Sequence, residues 1–294
     1  MKTVAYLVTI LAVLSLLPGN GAADSHDSQG NRDSSSYTLA VVPFYSPEKM
    51  WLLYSPVVEY LRKSTGQPWE LMLCHNHDEF VDAICDGRAT AALAGPVPLG
   101  RAYHRCGARP FLVALDKHGK PSYRSVILTN ESALTSLADL KGKKVGFFKG
   151  STAAHIVPAK MLIDAGLSPS AIRPVFLDSQ DRLISALLGG EIAAAGVKEA
   201  LYQKFRKEGL HVVATSGKLP NFALCASPTV SPKSRERLMT ALLSLKPSTH
   251  RHDAETVKNW DDEVKNGFIV PDNEFLPLAL TLYTYFREVT NDRR

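Results

Sequence analysis

Ser151 and Thr152 stand between an apolar run at residues 145–148 and a helix-like stretch at residues 153–165. Lys149 and Gly150 precede them, and His155 follows one turn later. Hydroxyls at a strand-to-helix turn serve one of two ends. They cap their own helix by accepting from its first N–H groups. Or they join those N–H groups, at the positive end of the helix dipole, in holding a tetrahedral oxyanion. Lys149 would add charge. His155 would either donate into a cleft or pack inside. Ser151 lacks a Gly-x-Ser-x-Gly elbow, and no nucleophile–base–orienter set stands out elsewhere, so the chemistry indicated is binding without catalysis.

A second set of residues mirrors the first. Ser46-Pro47-Glu48 is a helix start: serine can cap, proline fits the first turn and glutamate complements the dipole. Tyr45 precedes it, and both Tyr45 and Ser46 are placed to reach a ligand from the opposite side. Gly95-Pro96 ends a small-residue strand and lets the backbone approach closely. Tyr123 and Ser125 lie on an extended segment without a helix directly before it, where a tyrosine can close over a ligand. Cys74-His75-Asn76-His77 raises a metal question. Alternating positions on a strand end point to opposite faces, however, so a polar strand-to-helix loop capped by Asp78 is the expected reading.

These residues must be positioned by alternating elements. Strands are predicted at residues 37–43, 69–74, 90–94 and 111–115, with helices between them. After an extended segment at 123–129 the pattern repeats: a short helix at 134–140, strands at 145–148, 174–177, 192–197 and 212–215, and helices at 153–165, 180–188 and 199–208. Pro158 is expected to kink its helix. A further extended segment at 221–227 precedes a helical tail. Strands alternating with helices imply βαβ units and parallel sheets, hence an α/β fold. Two tandem groups joined by extended segments suit two α/β lobes with two hinge strands, and equally one larger α/β domain.

The 294 residues are 45% apolar and 21% charged, enough for a sizeable core. Lys2, the apolar run 4–17 and the small residues to Ala23 read as a secretory signal peptide, residues 1–23, followed by a polar leader at 24–36. No cysteine follows the apolar run, so no lipid anchor is expected, and the mature chain is expected to be soluble and exported. Removing residues 1–23 lowers the formal charge from +5 to +4, far too weak to indicate nucleic acid. Export permits disulfides among Cys74, Cys85, Cys106 and Cys225, but the spacing leaves both pairing and the all-thiol alternative open.

The blocks "PFYSPEKMWLLYSPVVEYLRKSTGQP", "AALAGPVPL", "KPSYRSVILTN", "SLADLKGKKVGF", "GSTAAHIVPAKMLIDAGL", "LLGGEIAAAGV" and "LPNFALCASP" resemble, in order, the phosphate/phosphite/phosphonate-binding proteins of ABC importers, over about residues 38–245. The resemblance implies a type II periplasmic binding protein: two α/β lobes, two hinge strands, ligand in the interlobe cleft. The lobes would comprise residues 37–126 with 216–294, and residues 127–215. It implies no catalysis and no cofactor. It implies a periplasmic monomer that closes around a small oxyanion and serves an inner-membrane permease. Ser151, Thr152, His155, Tyr123, Ser125, Tyr45, Ser46, Gly95, Pro96 and Gln180 are the ligand-contact candidates. The chain departs from the family at Leu99, where a tyrosine is common, at Gln180, where many have histidine, and at Lys198 and Phe222, where acids suited to a ligand amine occur. These losses argue against an aminoalkyl phosphonate. A protein reporting to a membrane sensor kinase, or an exported metal-binding protein, are the rival expectations. The tail after about residue 250 has no assigned role.

Overall fold

The computed structural model describes residues 37–291. The signal peptide and leader expected at 1–23 and 24–36 lie outside them. The chain first lays down β1 (Tyr37–Val41), α1 (Pro47–Thr65), β2 (Trp69–Leu73), α2 (His77–Cys85), β3 (Ala91–Ala94), α3 (Pro96–Cys106) and β4 (Arg109–Ala114). It crosses through β5 (Ser122–Tyr123) into β6 (Ser125–Thr129). The second group is β7 (Lys144–Phe148), a π-helical turn (Thr152–Ile156) running into α4 (Val157–Asp164), β8 (Arg173–Leu177), α5 (Gln180–Leu188), β9 (Ala194–Lys198), α6 (Glu199–Phe205) and β10 (His211–Thr215). It returns through β11 (Leu219–Pro220) into β12 (Ala223–Ala226) and finishes with α7 (Pro232–Ser244), α8 (Arg251–Val257), β13 (Phe268–Ile269) and α9 (Phe275–Thr290).

The strands form two main sheets with the same internal plan. The first is ordered β13-β4-β12-β3-β1-β2 and the second β10-β6-β9-β7-β8. In each, the earliest strand of the group pairs in parallel with the next two, as β1 does with β2 and β3, and β7 with β8 and β9. In each, one strand arriving from the other group inserts antiparallel beside them: β12 against β3 and β4, β6 against β9 and β10. Beside these crossings β5 and β11 pair as a short ribbon, Tyr123 opposite Leu219. Two α/β lobes joined by two crossing strands are therefore the architecture, and the extended segments predicted at 123–129 and 221–227 are the crossings.

The parallel strands carry near-continuous apolar runs because helices cover both faces. Ala91–Ala94 and Ala194–Lys198 are buried throughout. Gly100 and Gly196 mark close approaches. A Cβ on Gly100 would stand 2.6 Å from Cβ of Tyr283 on α9, and one on Gly196 would stand 2.3 Å from Cγ of Pro158.

Pro158 shapes the helix more than the predicted kink suggests. The helix begins with a wide turn in which the Ile156 and Val157 N–H groups reach back five residues to the Ser151 and Thr152 carbonyls. Pro158 has no N–H to continue the pattern to the Ala153 carbonyl. The Ser125 hydroxyl donates to that oxygen instead, at 2.6 Å.

Cys85 and Cys106 form a disulfide with Cα atoms 5.4 Å apart, while Cys74 and Cys225 are buried thiols. The bridge staples the C-terminal ends of α2 and α3. Closing a loop of this length, with a sequence separation of 21, stabilises the fold by about 3 kcal/mol.

Candidate functional site

A cavity of ≈ 20 Å³ lies between the lobes, at the C-terminal ends of β1, β3, β7 and β9. Parallel α/β sheets present their ligands there. Four helix starts line it: His77 of α2, Gly95 before α3, Ser151 and Thr152 at the π-helical turn, and Gln180 of α5. Each brings a positive dipole end to the same small volume. The neighbouring walls are Val42, Phe44, Pro98, Tyr123, Ala153, Lys198 and Phe222.

The local sequence explains each start. Ser151 accepts from the Ala154 N–H at 3.2 Å and so caps its own helix. Asn76 caps α2 through the N–H groups of Asp78 and Glu79, and Ser179 caps α5 through Arg182. Gly95 has no side chain to cap α3. Thr152 supplies the cap from the other lobe, its Oγ1 accepting from the Val97 N–H at 3.0 Å. A Cβ on Gly95 would stand 3.1 Å from the Phe222 ring, so the backbone there runs close against that wall. Gly150 adopts φ +80°, and a Cβ there would meet His77 Cβ at 3.2 Å. Glycine is required at that position by conformation and by space.

Two buried polar atoms of the wall have no hydrogen-bond partner: Tyr123 Oη and His77 Nδ1. Their residues are only 8% and 5% exposed. An unpaired buried hydroxyl or imidazole costs about 1–3 kcal/mol. Tyr123 Oη lies beside the Thr152 hydroxyl, which accepts from the Val97 N–H. Burial is the main cause that raises the Tyr123 phenol well above its ordinary range, so it stays protonated. Burial first, then the Arg101 charge, pushes the His77 imidazole down to about 3, so it is neutral at physiological pH. The wall therefore offers a phenolic O–H and a neutral imidazole, both suited to hydrogen-bonding an oxyanion.

Of the ten candidates, Ser151, Thr152, Tyr123, Gly95 and Gln180 line the cavity. The others are placed outside its wall. Ser46 is exposed and caps α1 through the Lys49 N–H. Tyr45 lies with it along a separate groove, its ring beneath Lys49 Nζ at 3.6 Å. Ser125 is consumed by the Ala153 carbonyl and by the Ser216 hydroxyl, which accepts its N–H. His155 packs between Phe147 and Phe176 and accepts from the Gly150 N–H at 3.1 Å. Burial and Lys149 lower that imidazole to about 4. Pro96 is buried at the first position of α3 and lacks an N–H. Among the described residues, no group of three or more His, Cys, Asp or Glu side chains is arranged to hold a metal ion. Cys74 belongs to the core while His77 faces the cavity.

Three further residues at or behind the cavity wall are not marked as ligand contacts by the sequence. There His77 reads only as a metal candidate. Lys198 reads only as a departure. Its Nζ donates to Asn221 Oδ1 at 3.0 Å and is salt-bridged to Glu263. Glu263 comes from the tail after residue 250, to which the sequence alone assigns no role.

Two mirrored α/β lobes, two crossing strands and a ring of helix starts around an interlobe cavity define a type II binding protein. The sequence profile of a family described as "ABC transporter, phosphonate, periplasmic substrate-binding protein" matches residues 39–274. The chain belongs to that family of solute-binding proteins, which are not enzymes. The match extends past residue 245 and takes in Glu263. The fold is similar to the binding-protein component of an ABC phosphonate transporter from Pseudomonas aeruginosa, with TM-score 0.75, 16% identity and 87% of each chain covered. It is similar to a Prochlorococcus marinus protein solved with methylphosphonate, with TM-score 0.74 and 14% identity over 87% of this chain and 98% of that one. It is also similar to the periplasmic aliphatic sulphonate binding protein of Escherichia coli, with TM-score 0.62 and 17% identity over 88% and 94% of the two chains. Among the described residues no helix is long and apolar enough to cross a membrane.

Proposed function

We propose that this protein captures a small tetrahedral oxyanion of the phosphonate, phosphite or phosphate class in the interlobe cavity. It works as a periplasmic monomer and delivers the anion to an inner-membrane ABC permease. The observation that carries this reading is the unpartnered Tyr123 hydroxyl, buried where four helix starts converge. Helix N-termini favour anions, and a donor kept dry and unpaired is strongest toward a charged acceptor.

A cavity of ≈ 20 Å³ holds about one water-sized sphere. A phosphonate headgroup needs more room, so entry requires the lobes to part about the β5–β11 ribbon. The contacts that must open include Val97 to Thr152, and the Gln180 N–H donating to the Phe44 carbonyl at 3.2 Å. Lys49–Asp181 at 2.9 Å and Lys204–Asp262 at 2.6 Å must open as well.

Calorimetry with phosphate, phosphite, methylphosphonate and sulfate tests the proposal. Tight, saturable binding of at least one phosphorus oxyanion, stronger than that of sulfate, is expected. No binding of any of them would overturn it.

A further inference from the structure

Lys198 ends β9, yet the residue is only 5% exposed. Its ammonium is held on four sides. The Tyr123 ring centroid is 4.2 Å from Nζ and the Phe222 centroid 4.6 Å. Asn221 Oδ1 accepts at 3.0 Å, and the Glu263 carboxylate completes the set. Two aromatic faces, a carboxylate and an amide oxygen are the groups that recognise an alkylammonium ion.

The walls do not depend on Lys198 for their position. Asn221 is fixed by its Nδ2 donating to the Ala114 carbonyl at 3.0 Å and its N–H donating to the Pro121 carbonyl at 2.9 Å. The Glu263 N–H donates to Asp261 Oδ1 at 2.9 Å. Tyr123 sits on the β5–β11 ribbon. The walls are built from the crossing segments and the tail, whereas the ammonium arrives from β9 of the second sheet. Tyr123, Phe222 and Lys198 also line the interlobe cavity, so the cage opens into the chamber.

We propose that this is an ammonium-recognising subsite filled by the chain's own Lys198. The tethered ammonium bridges the lobes and denies the subsite to a ligand that carries an amine. The cage itself stands on the geometry just described; its effect on ligand choice rests on the oxyanion reading above.

The test uses Lys198→Ala in the full chain, with methylammonium chloride as probe and sodium chloride as the ionic-strength control. Methylammonium is expected to raise the melting temperature of Lys198→Ala saturably, by mass action on the folded state. It should leave the wild type and Lys198→Ala/Glu263→Gln unmoved. An equal response in all three proteins, or none in Lys198→Ala, overturns the cage. Should Lys198→Ala fail to fold, reductive methylation provides the second readout. Lys198 is expected to resist modification in the wild type while exposed Lys218 reacts, and to become reactive in Glu263→Gln. Equal resistance in both proteins overturns the proposal.

A further arm compares 2-aminoethylphosphonate with ethylphosphonate. Wild type is expected to favour ethylphosphonate, and Lys198→Ala to shift the ratio at least tenfold toward the amine. Methylammonium rescue without binding of either phosphonate would uphold the cage and refute the oxyanion reading.

Discussion

Two helix starts in this chain share one grammar and lead to different ends. Ser46 and Ser151 each follow a strand, and each caps its helix by accepting from an N–H three residues on. The Ser46 start is exposed, and Glu48 in its first turn already complements the dipole. The Ser151 start is buried, has no acid in its first turn and faces another acid-free start, that of α3. The two are joined by the Val97 to Thr152 hydrogen bond. A cap alone marks where a helix begins. Burial, and a dipole left without an internal anion, separate the exposed cap at Ser46 from the cavity-lining cap at Ser151.

A parallel contrast holds between two of the ion pairs that bridge the lobes. Lys198–Glu263 has side chains only 6% and 11% exposed, whereas Lys49–Asp181 has 37% and 32%. Glu263→Ala is expected to cost about 3–5 kcal/mol in urea unfolding, because it strands a buried ammonium. Lys49→Ala should cost at most about 1 kcal/mol, since its pair is screened by water. Equal losses would erase the distinction.

Next in size is the pH dependence. His77 titrates at about 3 and His155 at about 4 when folded, against an unfolded value of 6.5. Their contribution to stability is full above pH 6.5 and is lost as pH falls toward 3. Asp261 carries the opposite sign. Burial, then the Glu263 charge, raises it from 3.8 to about 6, so the folded state binds the extra proton between those values and stability falls as pH rises through them. Asp261→Asn is expected to raise the melting temperature more at pH 7 than at pH 4. A uniform gain across pH would contradict that assignment.

Smaller effects separate the two caps directly. Thr152→Val leaves the Val97 N–H without its acceptor and should cost about 1–3 kcal/mol while weakening methylphosphonate binding. Ser46→Ala should cost about 1 kcal/mol and leave binding unchanged. Gly95→Ala, with the Phe222 ring 3.1 Å from the new Cβ, should weaken binding a few-fold with little change in stability. Thermal melts and calorimetry on the three variants check this order.

Much of the fold was legible because it is local. Apolar runs at residues 91–94 and 145–148, glycine stops and serine caps fixed most elements and both crossings. The π-helical turn was not legible. It depends on a carbonyl freed by Pro158 and answered by Ser125, 28 residues away. Half of the candidate contacts line the cavity because strand-to-helix turns reveal themselves in sequence. His77 was hidden by its neighbours Cys74 and His75, which suggested metal. Lys198 and Glu263, 65 residues apart, meet only through the tertiary fold, which no periodicity encodes. The disulfide, too, needed geometry to choose Cys85 and Cys106.

The central claim is that the interlobe cavity holds an oxyanion through donors kept unpaired for it. Tyr123→Phe removes the buried hydroxyl beside Thr152 and keeps the ring. Measured together, its unfolding free energy and its methylphosphonate affinity should move in opposite senses. Stability should be unchanged or higher, because the buried orphan hydroxyl is gone. Affinity should drop about 10- to 100-fold, the loss of one hydrogen bond to a charged group. Unchanged affinity in Tyr123→Phe, with wild type binding tightly, would contradict the account.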